Sequence, residues 1–126
     1  MDAGVALVYV CGIYSVGFAV FHIYFWKLFR WKKELQNLSP ANRGILQIAN
    51  LRLIYIFLFV ASTCFLFPVE LIETKLGNFF LVGNALFWLG RTIEQFIFLK
   101  INHKMVHVLT ALFILGIALF TLPLFI

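Results

Sequence analysis

The chain has 126 residues, 63% of them hydrophobic and 12% charged, with a mean hydropathy of +1.02 and a formal net charge of +5. Ordinary soluble domains carry about 25% charged residues, and the sixteen Phe in this length would leave a soluble fold with large apolar patches. The composition excludes a soluble domain, and with it nucleic-acid binding, which needs a basic face on a soluble fold.

No Ser-, Pro- or Gly-rich linker, low-complexity tract or internal repeat breaks the pattern. Residues 1–126 are therefore expected to form a single multi-span transmembrane domain. Segment one covers residues 3–26 and carries no charge. At ~1.5 Å per residue it would be ~36 Å long, enough for a hydrocarbon core of ~30 Å with some tilt. It does not read as a cleavable signal peptide. Asp2 precedes it and Lys27, Arg30, Lys32 and Lys33 follow, the reverse of a signal's charge order. Cys11, Ser15 and Ala19 recur every four residues and form a small-residue stripe that lets a neighbouring helix approach closely. His22 lies at the edge of that face.

The first connection spans residues 27–48, with Trp26 and Trp31 flanking its basic cluster as at a membrane–water interface. Within it, Ser39-Pro40 is a helix start signal, Ser as N-cap and Pro at the first helical position. Segment two should therefore begin in water at Pro40, enter the membrane near residues 50–53 and leave near Val69. Arg43, Gln47, Asn50 and Ile54 share one stripe of it, and Pro68 should stop or kink it. A short connection, residues 70–75, leads to segment three, residues 76–99. A tight turn with Lys100, Asn102, His103 and Lys104 leads to segment four, residues 105–126, which is again uncharged.

The basic residues set the expected orientation. Lys27, Arg30, Lys32, Lys33, Arg43 and Arg52 belong to the first connection, and Lys100 and Lys104 to the last turn, against Lys75 alone on the other side. By the positive-inside rule the basic connections are cytoplasmic and both termini external. Short connections make successive helices antiparallel neighbours. The expected fold is all-α: an integral membrane four-helix bundle running up-down-up-down, closed by one chain or shared between two.

Segment three is the one that carries polar groups at membrane depth. Arg91, Glu94 and Gln95 stand three and four residues apart, so all three reach one helix face, with Asn84 and Trp88 on the same stripe. Ionisable groups at that depth are costly and face a bundle interior or a partner. Arg91 and Glu94 are expected to pair. On the expected topology Gln95, Glu94 and Arg91 lie ~6, ~8 and ~12 Å above the segment's cytoplasmic end, and His22 lies ~6 Å above Trp26. Gln47, Asn50 and His107 fall near the same level, so all four segments deliver polar side chains to the cytoplasmic half. The expected site is a ligand-binding pocket lined by His22, Gln47, Asn50, Arg91, Glu94, Gln95 and His107. Arg91 would offer a fork of donors to a negative or carbonyl oxygen, and the histidines would be donors or proton carriers near neutral pH.

His103 and His107 have the i, i+4 spacing of paired metal ligands. His22, His103, His107 and Glu94 are the candidate ligands of a divalent metal, and His22 with His107 of a haem. No cofactor is predicted, since that spacing alone is a weak signal. Cys11 and Cys64 lack a CxxC partner and read as small buried residues. No phosphate loop and no Gly-x-Ser-x-Gly occurs. Three functions fit: a bundle that binds or transports a small polar, anionic or lipid-headgroup ligand; an accessory subunit packed against larger membrane partners; or a haem- or metal-binding membrane enzyme. The expected partners are the lipid bilayer and another copy or a larger membrane protein. The pocket reading is preferred, because a buried ion pair is poor support for stability by itself.

Overall fold

The computed structural model describes residues 2–126. In chain order the helices are α1 (Ala3–Ile23), α2 (Phe25–Leu28), α3 (Trp31–Glu34), a 3-10 turn (Leu35–Asn37), α4 (Pro40–Leu66), α5 (Pro68–Glu73), α6 (Lys75–Phe98), α7 (Lys104–Thr121) and a final 3-10 turn (Leu122–Leu124). No strand occurs among the described residues. Among the described residues three helices are long and apolar enough to cross a membrane: α1, α4, and α7 with its closing turn to Leu124. At 24 residues α6 has the length, but Asn78, Asn84, Arg91, Glu94 and Gln95 make it less apolar.

Local chemistry explains the boundaries. The Ser39 hydroxyl accepts a hydrogen bond from the Asn42 amide at 3.2 Å, so α4 starts at Pro40 as the Ser-Pro signal requires. Pro68 disfavours helical geometry at the residue before it. Accordingly α4 ends at Leu66, Phe67 leaves the helix with φ −130° and ψ 46°, and Pro68 opens the short helix α5. The Thr74 hydroxyl then caps α6, accepting from the Gly77 amide at 2.9 Å and donating to the Glu70 carbonyl at 2.6 Å. Gly77 is required at this corner: a Cβ there would overlap the Glu70 carbonyl and the backbone of Leu71.

The first connection is folded rather than a plain basic loop. Trp31 and Leu35 are buried, and burying them draws the segment into the short helices α2 and α3. Trp31 meets Phe25 and Trp26 edge-on, at centroid distances of 5.7 and 5.3 Å. The Arg43 guanidinium holds the segment to the start of α4 by donating to the Leu35 and Leu38 carbonyls, at 2.9 and 3.1 Å. Arg30 makes the turn between α2 and α3 in the left-handed region, at φ 52° and ψ 46°.

The chain divides into two compact units, Met1–Cys11 with Cys64–Ile126, and Gly12–Thr63. In the first, Leu71, Leu81, Trp88, Phe113 and Phe120 are buried, and the Cys11 thiol donates to the Leu119 carbonyl at 3.0 Å. In the second, Phe18, Trp31, Leu35, Phe57 and Ala61 are buried. The small-residue stripe of α1 lies inside, with Cys11, Ser15 and Ala19 at most 1% exposed. Both thiols are buried, and neither forms a disulfide among the described residues. The hydroxyls and one amide on the long helices fold back onto their own backbone. Ser62, Thr63, Asn84, Thr92, Thr110 and Thr121 each donate to the carbonyl four residues earlier. That pattern suits a medium without water, where polar groups must find partners inside the chain. Gln95 departs from it and reaches the carbonyl of Val106 on α7 instead.

Candidate functional site

Leu81, Trp88, Thr92 and Gln95 are the buried positions of the lower two-thirds of α6, spaced as one helix face. Gln95, at its end, is 1% exposed. Its Nε2 donates to the Val106 carbonyl of α7 at 3.3 Å, an oxygen that also accepts from the Thr110 hydroxyl at 2.8 Å. Its Oε1 is buried and has no donor among the described residues. A buried acceptor left unpaired costs about 1–3 kcal/mol.

Gln95 lies on the wall of a cleft of about 330 Å³ at the α6–α7 turn, together with Phe96, Leu99, Lys100, Ile101, Asn102, Val106, His107 and Thr110. His107 is exposed and its Nε2 is hydrogen-bonded to the Asn102 Oδ1 at 2.9 Å. The His103 Nδ1 accepts from the Met105 amide at 3.0 Å and caps α7. The two histidines therefore have separate local tasks, despite the spacing of a ligand pair. No group of three or more His, Cys, Asp or Glu side chains placed to hold a metal occurs among the described residues. The cleft thus combines an ammonium, an imidazole and a side-chain amide with an orphan acceptor and an apolar rim. Phe96 and Ile101 on that rim are 64% and 56% exposed.

The expected ion pair within α6 does not form. Arg91 is half-buried with its guanidinium carbon 4.6 Å from the centre of the Phe113 ring, which in turn stacks on Trp88 at 5.6 Å. Glu94 is exposed. It is close enough to act on Arg91 through space, yet neither side chain makes a hydrogen bond or an ion pair among the described residues. The reason is rotational. Three residues along a helix leave ~60° between side chains, and the Phe113 ring draws Arg91 toward α7 while Glu94 turns outward.

His22, Gln47 and Asn50 belong to the other compact unit. The His22 Nδ1 donates to the Phe18 carbonyl at 2.7 Å, and its ring stacks on Phe25 at 4.3 Å beside Phe57 at 5.1 Å. Gln47 uses both ends of its amide: Oε1 accepts from the Trp26 indole at 3.0 Å and Nε2 donates to the Arg43 carbonyl at 3.1 Å. Asn50, 3% exposed, donates to the His22 carbonyl at 2.9 Å. That carbonyl lies in the last turn of α1, where helix geometry leaves oxygens without a partner. The Oδ1 of Asn50, like the Oε1 of Gln95, is buried without a donor among the described residues.

Of the seven expected residues, the α6–α7 cleft brings together Gln95 and His107, while Arg91 and Glu94 stand one turn and one residue away on α6. The sequence reading missed Lys100, Asn102 and Thr110 as cleft residues. Lys100 was absorbed into the positive-inside count. Asn102 stands five residues before His107, a spacing that signals nothing until the turn is folded.

The fold and the cleft define an all-helical protein with three helices of membrane-crossing length and a polar cleft where its last two helices meet. The chain matches no protein-family model, no curated protein and no solved structure.

Proposed function

We propose that this is a four-span, up-down-up-down membrane bundle with external termini, whose α6–α7 cleft binds the headgroup of an anionic, hydroxyl-bearing lipid at the cytoplasmic surface. The observation that carries the reading is Gln95, a residue of the cleft wall whose buried Oε1 has no donor among the described residues. That oxygen is buried against the protein, so a ligand's O–H or N–H meets it once the Gln95 side chain turns toward the cleft. Lys100 on the same wall suits a phosphate oxygen. The exposed Phe96 and Ile101 suit the first carbons of an acyl chain, which favours a lipid over a free phosphate ester. The eight-to-one distribution of basic residues supports the cytoplasmic placement of the α6–α7 turn.

The test is native mass spectrometry of the full chain released from micelles that contain phosphatidylglycerol, phosphatidylcholine or glycerol phosphate. Retention of phosphatidylglycerol several-fold above phosphatidylcholine is expected, with loss of the preference in Gln95→Met and Lys100→Ala. Equal retention of both lipids by the native chain overturns the assignment. Binding of glycerol phosphate as strong as that of the lipid would replace the headgroup by a soluble ester. Reporter tags at each terminus test the topology, and a cytoplasmic readout at either end refutes it.

A further inference from the structure

The basic residues are not spread evenly along the chain. The unit Gly12–Thr63 holds six of the ten Lys and Arg, namely Lys27, Arg30, Lys32, Lys33, Arg43 and Arg52, against one carboxylate, Glu34. Arg43 is engaged by the Leu35 and Leu38 carbonyls, and the Arg52 guanidinium lies over the Tyr55 ring at 5.5 Å. The other four fall on α2, α3 and the turn between them. All four are exposed, and none makes a side-chain hydrogen bond or ion pair among the described residues. Glu34 beside them is exposed and pairs with none of them. The fold turns the cations outward for a local reason. Successive helical residues rotate by roughly 100°. Trp31 and Leu35, four apart, share the buried face, so Lys32 and Lys33 lie away from it. The Phe25 ring packs on His22 and Trp31, and Lys27, two residues on, falls on the opposite side of α2. Arg30 makes the turn in the left-handed region, at φ 52°. Glycine adopts that geometry at lower cost, yet the chain places a guanidinium there. Backbone strain held at such a position points to function.

A folded platform that presents four uncompensated cations is complementary to an anionic surface. Two features select a lipid leaflet over a soluble polyanion. Leu28, Phe29 and Leu38, beside the cations, are exposed, and a soluble polyanion would leave them in water. The platform also follows directly on α1, a helix of membrane-crossing length, so it stands where a headgroup layer would be. We propose that the α2–α3 segment is a binding surface for anionic lipid, on which Lys27, Arg30, Lys32 and Lys33 gather phosphate groups of the leaflet while Leu28 and Phe29 enter its apolar layer. Arg30 offers a phosphate a fork of donors, and the three ammonium groups act as point charges around it. Clustered cations next to a membrane helix attract an anionic leaflet additively and within a Debye length. This inference shares the membrane orientation with the headgroup reading and none of its cleft residues.

The test is amine acylation of the full chain in nanodiscs of phosphatidylcholine, alone or mixed with phosphatidylglycerol, with each lysine read separately by mass spectrometry. An ammonium held by phosphate acylates more slowly. Lys27, Lys32 and Lys33 should react several-fold more slowly when phosphatidylglycerol is present, and high salt should restore their reactivity. Lys75, on the other side of the membrane in the expected topology, gauges the general effect of a charged bilayer, and Lys100 reports the cleft. Protection of Lys27, Lys32 and Lys33 no greater than that of Lys75 overturns the proposal, whatever Lys100 does. Protection of these three with none at Lys100 supports it and counts against the headgroup reading. Arg30→Gly should resist unfolding better than the native chain and still weaken the protection of the three lysines. Unchanged protection in that variant refutes the part given to Arg30. Protection by a polyglutamate peptide in pure phosphatidylcholine as strong as that by phosphatidylglycerol overturns the choice of a lipid.

Discussion

Replacing Gln95 by Met should make the protein more stable, not less. The native side chain gains one hydrogen bond, from Nε2 to the Val106 carbonyl, and at 3.3 Å it is a long one. Such a bond belongs at the low end of the net ~0.5–1.5 kcal/mol per hydrogen bond. Against it stands the desolvated Oε1, whose unpaired burial costs roughly 1–3 kcal/mol. Met has a similar length, fills irregular space and carries no strong acceptor. The substitution also creates no new orphan, because the Val106 carbonyl keeps the Thr110 hydroxyl at 2.8 Å. The difference favours Met by about 1 kcal/mol. The assay is reversible unfolding in mixed micelles of rising denaturing-detergent fraction, followed by circular dichroism, alongside lipid retention for the same variant. Gain of stability with loss of headgroup binding is the expected pair of results. A loss of more than about 1 kcal/mol would mean that Oε1 already has a donor in the empty protein. The cleft would then lack its reason to take a ligand.

Gly77→Ala should destabilise by roughly 1–3 kcal/mol, as overpacking does, because its Cβ would overlap the backbone of Glu70 and Leu71 rather than a yielding side chain; the same unfolding assay reads it. Arg30→Gly should gain up to about 1 kcal/mol, since a non-glycine residue in the left-handed region costs ~1–2 kcal/mol and glycine's extra unfolded-state freedom returns part of that; a loss of stability would mean that the Arg30 side chain contributes more than its backbone costs. Trp26→Phe should cost about 0.5–1.5 kcal/mol, the net worth of its hydrogen bond to the half-buried Gln47 Oε1. Adding Gln47→Met to that variant should recover much of the loss, and a double-mutant cycle with no coupling would refute the hydrogen bond.

The balance on Gln95 has a functional corollary. A group that lowers the stability of the empty protein and touches a cleft is the type of residue that ligand binding restores, since binding to the folded state alone adds stability. Asn50 shares the orphaned oxygen but not the cleft, for its amide is a cap on the last turn of α1. The same chemical signal thus has two meanings, and the surrounding space separates them.

The character of the chain was legible in the sequence because it depends on local rules. Uncharged runs of sufficient length, Ser39-Pro40 as a start signal and Pro68 as a stop marked α1, α4 and α7 close to their observed ends. Each of these rests on backbone geometry and water exclusion over a few neighbouring residues. The small-residue stripe of α1 was legible for the same reason, because helical periodicity alone places Cys11, Ser15 and Ala19 together. The first connection was less so: its basic residues and flanking tryptophans gave it an interfacial character, and its short helices come from the burial of Trp31 and Leu35.

Pairing of side chains could be decided only by tertiary structure. Spacing brought Arg91 and Glu94 within reach of each other, but Phe113, 22 residues farther along, determines where the guanidinium lies. Spacing likewise suggested His103 and His107 as joint ligands, while the turn before α7 gives one to a helix cap and the other to Asn102. Gln95 was marked as polar and deep in the sequence. That its nitrogen, and not its oxygen, finds a partner follows from the position of the Val106 carbonyl on the next helix. Periodicity determines which face of a helix a residue occupies, because that needs only the backbone's rotation per residue. Which atom a side chain finally meets depends on the helix packed beside it, and that is the work of the folded chain.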